Sequence, residues 1–122
     1  MRRLLIVEDD DILNDVYKMI LSTEPYDIDV AFSGQEALNH INKQSYDLIL
    51  LDLMMPEMDG VEFLQQFQPD LHPETKIIIT SNLSAGDMVT QAMQLGAHKS
   101  VVKADLSPKQ LINLVRYEVE AK

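Results

Sequence analysis

Five short aliphatic runs alternate with five amphipathic stretches along the 122 residues, and this alternation constrains the fold more than any other feature. The runs are Arg3 to Glu8, Asp27 to Phe32, Leu48 to Leu53, Lys76 to Ser81 and Ser100 to Lys103. Several are almost wholly aliphatic, as in Leu48-Ile-Leu-Leu51 and Ile77-Ile-Ile79. A strand with one wet face alternates apolar and polar residues, whereas an unbroken apolar run fits a central parallel strand covered on both faces. The stretches between the runs space their apolar residues for one helical face. Ile12, Leu13, Val16, Tyr17, Ile20 and Leu21 do so behind a capping Asp10 or Asp11. Ser33-Gly-Gln-Glu36 and Asp59-Gly-Val-Glu62 read as capping boxes, in which the cap oxygen and an acid three residues on satisfy each other's backbone donors. Ser107-Pro-Lys-Gln110 supplies an N-cap serine, proline at the first helical position and glutamine at the third. Ser84 is the expected cap of the fourth helix, which Gly96 would end.

Strict alternation with helix-length crossovers predicts an α/β domain, a parallel sheet with helices on both faces, spanning residues 1–122 as one unit. The expected fold is a flavodoxin-like (βα)5 three-layer sandwich whose five parallel strands run in the order 2-1-3-4-5. Polar residues collect where these strands end. Glu8 and Asp9 close the first, Asp52 the third, Thr80 the fourth and Lys103 the fifth. Open α/β sheets bind ligands at the carboxyl edge, where the strand order reverses. With this order the reversal lies between strands one and three, which would gather Asp9 and Asp52.

Carboxylates crowded into one cleft repel unless a cation or proton sits among them. The chain has no cysteine, and no histidine stands at these strand ends, so the ligands would be oxygens. Oxygen ligands favour a hard cation, Mg²⁺ before Ca²⁺. A metal-bound carboxylate at an open edge can attack a phosphoryl group and form an acyl phosphate. Lys103 and Thr80 offer a mobile positive charge and a hydroxyl donor suited to phosphoryl oxygens. Each residue alone has a plainer explanation: Asp9 as a helix cap, Thr80 as strand composition, Lys103 as a surface lysine. The coincidence of four strand ends is what points to a phosphate and metal site.

Bulk properties exclude other classes. A formal net charge of −10 argues against direct contact with nucleic acid, which needs a basic surface. The most apolar run, Asp47 to Met55, is cut by Asp52 and falls short of the roughly 18–20 residues of a membrane helix. No membrane insertion is expected. The N-terminus lacks the apolar core and cleavage site of a signal peptide. With no cysteine, a cytoplasmic location is expected.

The motifs Leu4-Leu-Ile-Val-Glu-Asp-Asp10 and Tyr46-Asp-Leu-Ile-Leu-Leu-Asp52-Leu-Met-Met-Pro-Glu-Met-Asp-Gly60 are joined by Ile77-Ile-Ile-Thr80-Ser81, Leu95-Gly-Ala97 and Val101-Val-Lys103. Together they resemble the receiver domain of two-component response regulators, in particular single-domain chemotaxis-type regulators. The resemblance implies that Asp52 is the phosphoacceptor. It implies Asp9 as a direct metal ligand, Glu8 as a second acid acting mostly through water, and the backbone carbonyl of Met54 as a further ligand. Thr80 would bond the phosphoryl group and Lys103 would pair with its oxygens. The implied cofactor is Mg²⁺, with Mn²⁺ or Ca²⁺ as substitutes. The implied donors are a histidine kinase, a phosphotransfer protein or acetyl phosphate, and the output a downstream protein target. The chain would be a monomer or a homodimer promoted by phosphorylation. It would not be an enzyme beyond Mg-dependent self-phosphorylation and autodephosphorylation.

Two positions depart from the family pattern. Ser100 stands where an aromatic residue is frequent, and Ala104 follows Lys103 where a cis proline is usual. A cis bond without proline costs roughly 2.5–4 kcal/mol, so a trans, differently shaped loop or a strained one is expected. Met54 and Asn82 occupy positions that tune hydrolysis in the family, and an apolar Met54 predicts a long-lived phosphorylated state. The first functional expectation is a stand-alone switch, ending at Lys122, whose output face is built from Ala85 to Leu95, Lys99 to Lys103 and Pro108 to Tyr117. The alternatives are a receiver fragment of a larger regulator or hybrid kinase, and a metal-dependent phosphohydrolase. The last is disfavoured because Met54 stands where an Asp-x-Asp nucleophile motif needs its second acid. His40, His72 and His98 are expected as surface or loop residues.

Overall fold

The computed structural model describes residues 1–120. Its strands are β1 (Arg2–Val7), β2 (Tyr26–Ala31), β3 (Leu48–Asp52), β4 (Lys76–Ser81) and β5 (Lys99–Val102). The helices are α1 (Asp11–Leu21), α2 (Gly34–Lys43), α3 (Gly60–Phe67), α4 (Gly86–Gln94) and α5 (Pro108–Glu120). All pairings are parallel, and the order is β2-β1-β3-β4-β5. The expected flavodoxin-like arrangement is therefore the observed one.

The aliphatic runs are continuous because alternate residues feed two cores. Leu5, Val7, Ile49 and Leu51 pack with Ala37 of α2, Phe63, Leu64 and Phe67 of α3, and Ala92 of α4. Leu4, Ile6, Leu48 and Leu50 face the other way, against Tyr17 and Leu21 of α1 and Leu111, Val115 and Val119 of α5. All of β3 is buried. Full burial of each such leucine or isoleucine contributes about 1.5–3 kcal/mol, so the central strand is the most firmly held part of the sheet.

Helix starts follow the local chemistry with one exception. Asp10, not Asp11, caps α1, its carboxylate accepting from the N–H groups of Ile12 and Leu13, both at 3.1 Å. Asp59 and Glu62 form the full capping box of α3. Ser107 and Gln110 exchange bonds of 2.9 and 3.2 Å in the same manner at α5. At α2 the box is offset: Ser33 accepts from Glu36 N–H, but the Glu36 carboxylate accepts from Phe32 N–H, one residue before the cap. Ser84 does not cap α4. A 3-10 turn over Leu83–Ala85 precedes that helix, Ala85 takes the cap position, and no side chain caps it. The turn has its own backbone bond, Ala85 N–H to Asn82 carbonyl at 3.1 Å, so the chain enters α4 without a side-chain acceptor. Gly96 follows α4 at φ +117°, where a side chain would strain the backbone and a Cβ would lie 2.9 Å from Pro69.

Candidate acidic site at the carboxyl edge

The strand order brings the ends of β1 and β3 side by side, with Val7 opposite Leu51. Glu8 and Asp9 leave β1 there, and Asp52 is the last residue of β3. One carboxylate oxygen from each of the three lies within 4.8 Å of the others. Glu8 and Asp52 are 1% and 2% exposed, and Asp9 is the more open member. Asp52 is fixed between neighbours, because β3 is paired on both edges and Asp52 itself pairs with Thr80 of β4. Gly60 allows α3 to start against it. A Cβ at Gly60 would lie 2.7 Å from the Asp52 carbonyl oxygen and 2.8 Å from Leu53 Cα.

Lys103 reaches across from the far side of the sheet. It follows β5 in a 3-10 turn over Lys103–Asp105. Its Nζ lies 2.7 Å from Glu8 Oε1 and 3.0 Å from Asp52 Oδ1. Glu8 Oε1 meets no donor other than this ammonium, and Asp52 Oδ2 remains a buried acceptor with no hydrogen-bond partner. Asp52 Oδ1 also accepts from Met54 N–H at 3.3 Å. Burial pushes the Asp52 carboxyl up to about 7 from its ordinary 3.8; the charge on Glu8 adds to that, and the Lys103 ammonium opposes it. Burial pulls Lys103 down, but its contacts with Glu8 and Asp52 outweigh that and leave it raised.

The donor set fits a hard divalent cation. It holds carboxylate oxygens and no sulfur or imidazole, and an orphaned buried oxygen of Asp52 is one of its members. Mutual repulsion of three acids is the physical reason a cation would bind here.

Thr80 is buried at the Asp52 register, while Met54 is 47% exposed. No peptide among the described residues is cis, so Lys103 and Ala104 are joined by an ordinary trans bond. Ser100 is exposed on β5 and leaves a cleft of about 190 Å³ that it lines with Leu83, Val89 and Val101. A larger depression of about 720 Å³ lies at the opposite, amino edge around Arg2, Tyr26 and Arg116 and contains none of the three acids.

Two side chains beside the acids escaped the sequence reading. Asn14 of α1 is 1% exposed and its amide donates to the carbonyls of Glu8 and Ala31. Tyr17 is buried close enough to feel the charges of Lys103, Glu8 and Asp52, and burial pushes its phenol up to about 12. Both sit on α1 positions that read as ordinary helix periodicity. His72 and His98 lie in loops, His98 exposed, as expected of surface or loop residues, and His40 is half-buried on α2; each also makes a specific contact. His98 Nδ1 accepts from Ile77 N–H at 3.0 Å, and His40 Nε2 lies 3.0 Å from the Val30 carbonyl. His72 stacks on Phe67 with ring centres 4.2 Å apart.

Comparison with known proteins agrees with this geometry. The family model described as response regulator receiver domain matches residues 4–116. The transcriptional regulatory protein SrrA of Staphylococcus aureus is 34% identical over 113 residues, 93% of this chain and 46% of SrrA. The chain thus spans about half the length of the curated relatives it matches. A CheY-like response regulator receiver domain protein from Methanospirillum hungatei JF-1 superposes with a TM-score of 0.91 at 27% identity, covering 99% of this chain and 95% of that one. The signal receiver domain of a putative Luxo repressor protein from Vibrio parahaemolyticus does so with a TM-score of 0.87 at 30% identity, covering 99% and 92%. With one sheet of order 2-1-3-4-5, an acid cluster at its switch point and a family match over almost its whole length, the chain belongs to the response regulator receiver domains of two-component signal transduction.

Proposed function

We propose that this domain accepts a phosphoryl group on Asp52 with Mg²⁺ held by Glu8, Asp9, Asp52 and the backbone carbonyl of Met54, and that the added charge alters a protein-binding face. The observation that carries this reading is the buried, unpartnered oxygen of Asp52 within a cluster of three carboxylates. Bound Mg²⁺, or Mn²⁺ or Ca²⁺ in its stead, would offset the charge of both carboxylate and phosphoryl group. The ionised Asp52 oxygen attacks phosphorus. An O–P bond forms as the P–N bond of a phosphohistidine breaks, or the P–O bond of acetyl phosphate, and imidazole or acetate leaves. The donor protein is a histidine kinase or a phosphotransfer protein. Lys103, already 3.0 Å from Asp52, turns to the new phosphoryl oxygens, and the Thr80 hydroxyl donates to them.

Beyond self-phosphorylation and autodephosphorylation we infer no turnover. The Met54 side chain has no group that could orient a hydrolytic water, which supports a long-lived phosphorylated state. The altered face is that of α4, β5 and α5, where Asp87, Gln91, Gln94, Lys99, Lys109 and Arg116 are exposed, and its partner is a downstream protein. Phosphorylation replaces the single charge of the ionised carboxylate with a phosphoryl group of about −1.5 to −2, a net gain of roughly −0.5 to −1 together with three acceptor oxygens. No helix among the described residues is long and apolar enough to cross a membrane, and a cytoplasmic location fits the reading. Residues 1–122 act as one receiver unit, monomeric or paired on phosphorylation. A second reading, a receiver within a longer regulator, is favoured by the 46% share of SrrA that the match covers; the length of the reading frame in its gene decides between them.

Intact-mass measurement after acetyl phosphate and Mg²⁺ tests the function. The expected result is a gain of one phosphoryl group by the wild type and none by Asp52→Asn. A wild type that stays unmodified with every phosphodonor overturns it.

A further inference from the structure

Asn14 is a polar residue on a helix face that otherwise goes to the core. Tyr17 and Leu21, which follow it at helical spacing, are buried in the apolar cluster under β1, and Asn14 is buried as deeply as they are. Asparagine is a weaker helix former than leucine or alanine, and a buried amide must be paired to avoid a penalty. Here only half of it is paired. Nδ2 donates to the Glu8 carbonyl at 3.0 Å and to the Ala31 carbonyl at 3.1 Å, while Oδ1 is buried without a hydrogen-bond partner. A buried acceptor without a partner is uncommon and calls for an explanation.

What the amide holds is the peptide between the two acids. Glu8 N–H donates to the Ala31 carbonyl at 3.1 Å, the last rung joining the first two strands. Asn14 binds that same carbonyl and, in addition, the carbonyl of Glu8 itself. The Glu8–Asp9 peptide plane is therefore pinned from its oxygen, and the Glu8 backbone is held at both its N–H and its C=O. The Glu8 side chain is tied in turn, Oε2 accepting from Asp10 N–H at 3.1 Å. Two adjacent carboxylates facing a third repel one another, and a freely turning peptide would let them swing apart. A backbone fixed in advance leaves less reorganisation for an arriving cation to drive.

We propose that Asn14 is a positioning residue for the cation site, one that sets the divergence of the Glu8 and Asp9 carboxylates through the peptide joining them. The inference rests on the metal site proposed above. It makes a specific claim on affinity, since outer partners that orient ligands typically govern metal binding by 10–100-fold.

The test is calorimetric titration of the unphosphorylated chain with Mg²⁺ alone, for wild type, Asn14→Leu, Asn14→Ser and Val119→Ala. Val119 is buried in the same cluster on α5, so its variant controls for lost stability. Asn14→Leu is expected to weaken Mg²⁺ binding about tenfold or more. Asn14→Ser, which keeps one donor, should fall between, and it carries the test if the leucine variant does not fold. Val119→Ala should stay within about twofold of wild type. In acetyl phosphate reactions the Asn14→Leu deficit should disappear as Mg²⁺ is raised, leaving the rate at saturation unchanged. Folded Asn14 variants that bind Mg²⁺ within twofold of wild type overturn the positioning role while leaving the proposed function intact. A wild type that binds no Mg²⁺ overturns both.

Discussion

Asp52 carries an unusual cost for a surface-edge acid. Its carboxyl is pushed up to about 7 because it is buried and faces Glu8, with only part of that relieved by Lys103. A carboxyl raised on folding binds its proton more tightly in the folded than in the unfolded chain. The associated stability is full below the ordinary 3.8 and is lost as pH rises through about 7. In metal-free buffer at pH 8, Asp52→Asn should therefore be more stable than wild type by about 1–3 kcal/mol. The gap should shrink steadily between pH 7 and pH 4, as read by urea denaturation. Lys103 keeps a partner in this variant, since Glu8 remains 2.7 Å from its Nζ. Strand-end chemistry made Glu8, Asp9, Asp52 and Lys103 legible in the sequence as a group. The contact between Lys103 and Glu8 was not, because it joins residues at opposite ends of the chain and depends on how far a long side chain bends back. Asn14 was invisible for a different reason: an asparagine at helical spacing reads as a solvated position until its neighbours are known.

At the scale of the elements, the sequence was informative wherever a short polar motif acts on its own backbone. Asp59 and Ser107 cap the helices they were expected to cap. Ser84 failed because the chain after β4 tightens into a 3-10 turn, and the choice between that turn and a capped helix start is made by packing rather than by local composition. The two cases predict opposite mutational costs. Asp59→Ala should lose about 1 kcal/mol of stability, and Ser84→Ala less than about 0.5 kcal/mol, by thermal or chemical denaturation. The loop from β3 to α3 holds a further asymmetry. Glu57, just after Pro56, sits at φ +67°, a conformation glycine adopts freely and glutamate does not. Glu57→Gly is expected to stabilise the chain by about 0.5–1 kcal/mol without touching the acids, an outcome the same denaturation series reads.

For the whole molecule, the alternation of runs and caps was enough to imply four crossovers between five strands and a closing helix, but the order of strands followed from likeness to other five-stranded sheets, since no residue pattern states which strand lies beside which. Three carboxylate oxygens within 4.8 Å of one another, in a chain of net charge −10, make the cluster a place where a divalent ion would relieve repulsion. Mg²⁺ at ten times its dissociation constant should raise stability by about 1.4 kcal/mol and the Tm by about 4–8 °C. Asp9→Asn should remove that shift in a thermal scan with and without EDTA. The strand that presents Asp52 is buried along its whole length and bonded on both sides. Such a strand is an anvil, too well clamped to yield when the charge upon it changes. If Asp52 is phosphorylated as proposed, the recoil is expected at the unpaired outer margin of β5 and in the short turns that lead out of β4 and β5, a rigid central seat passing the event to one flank.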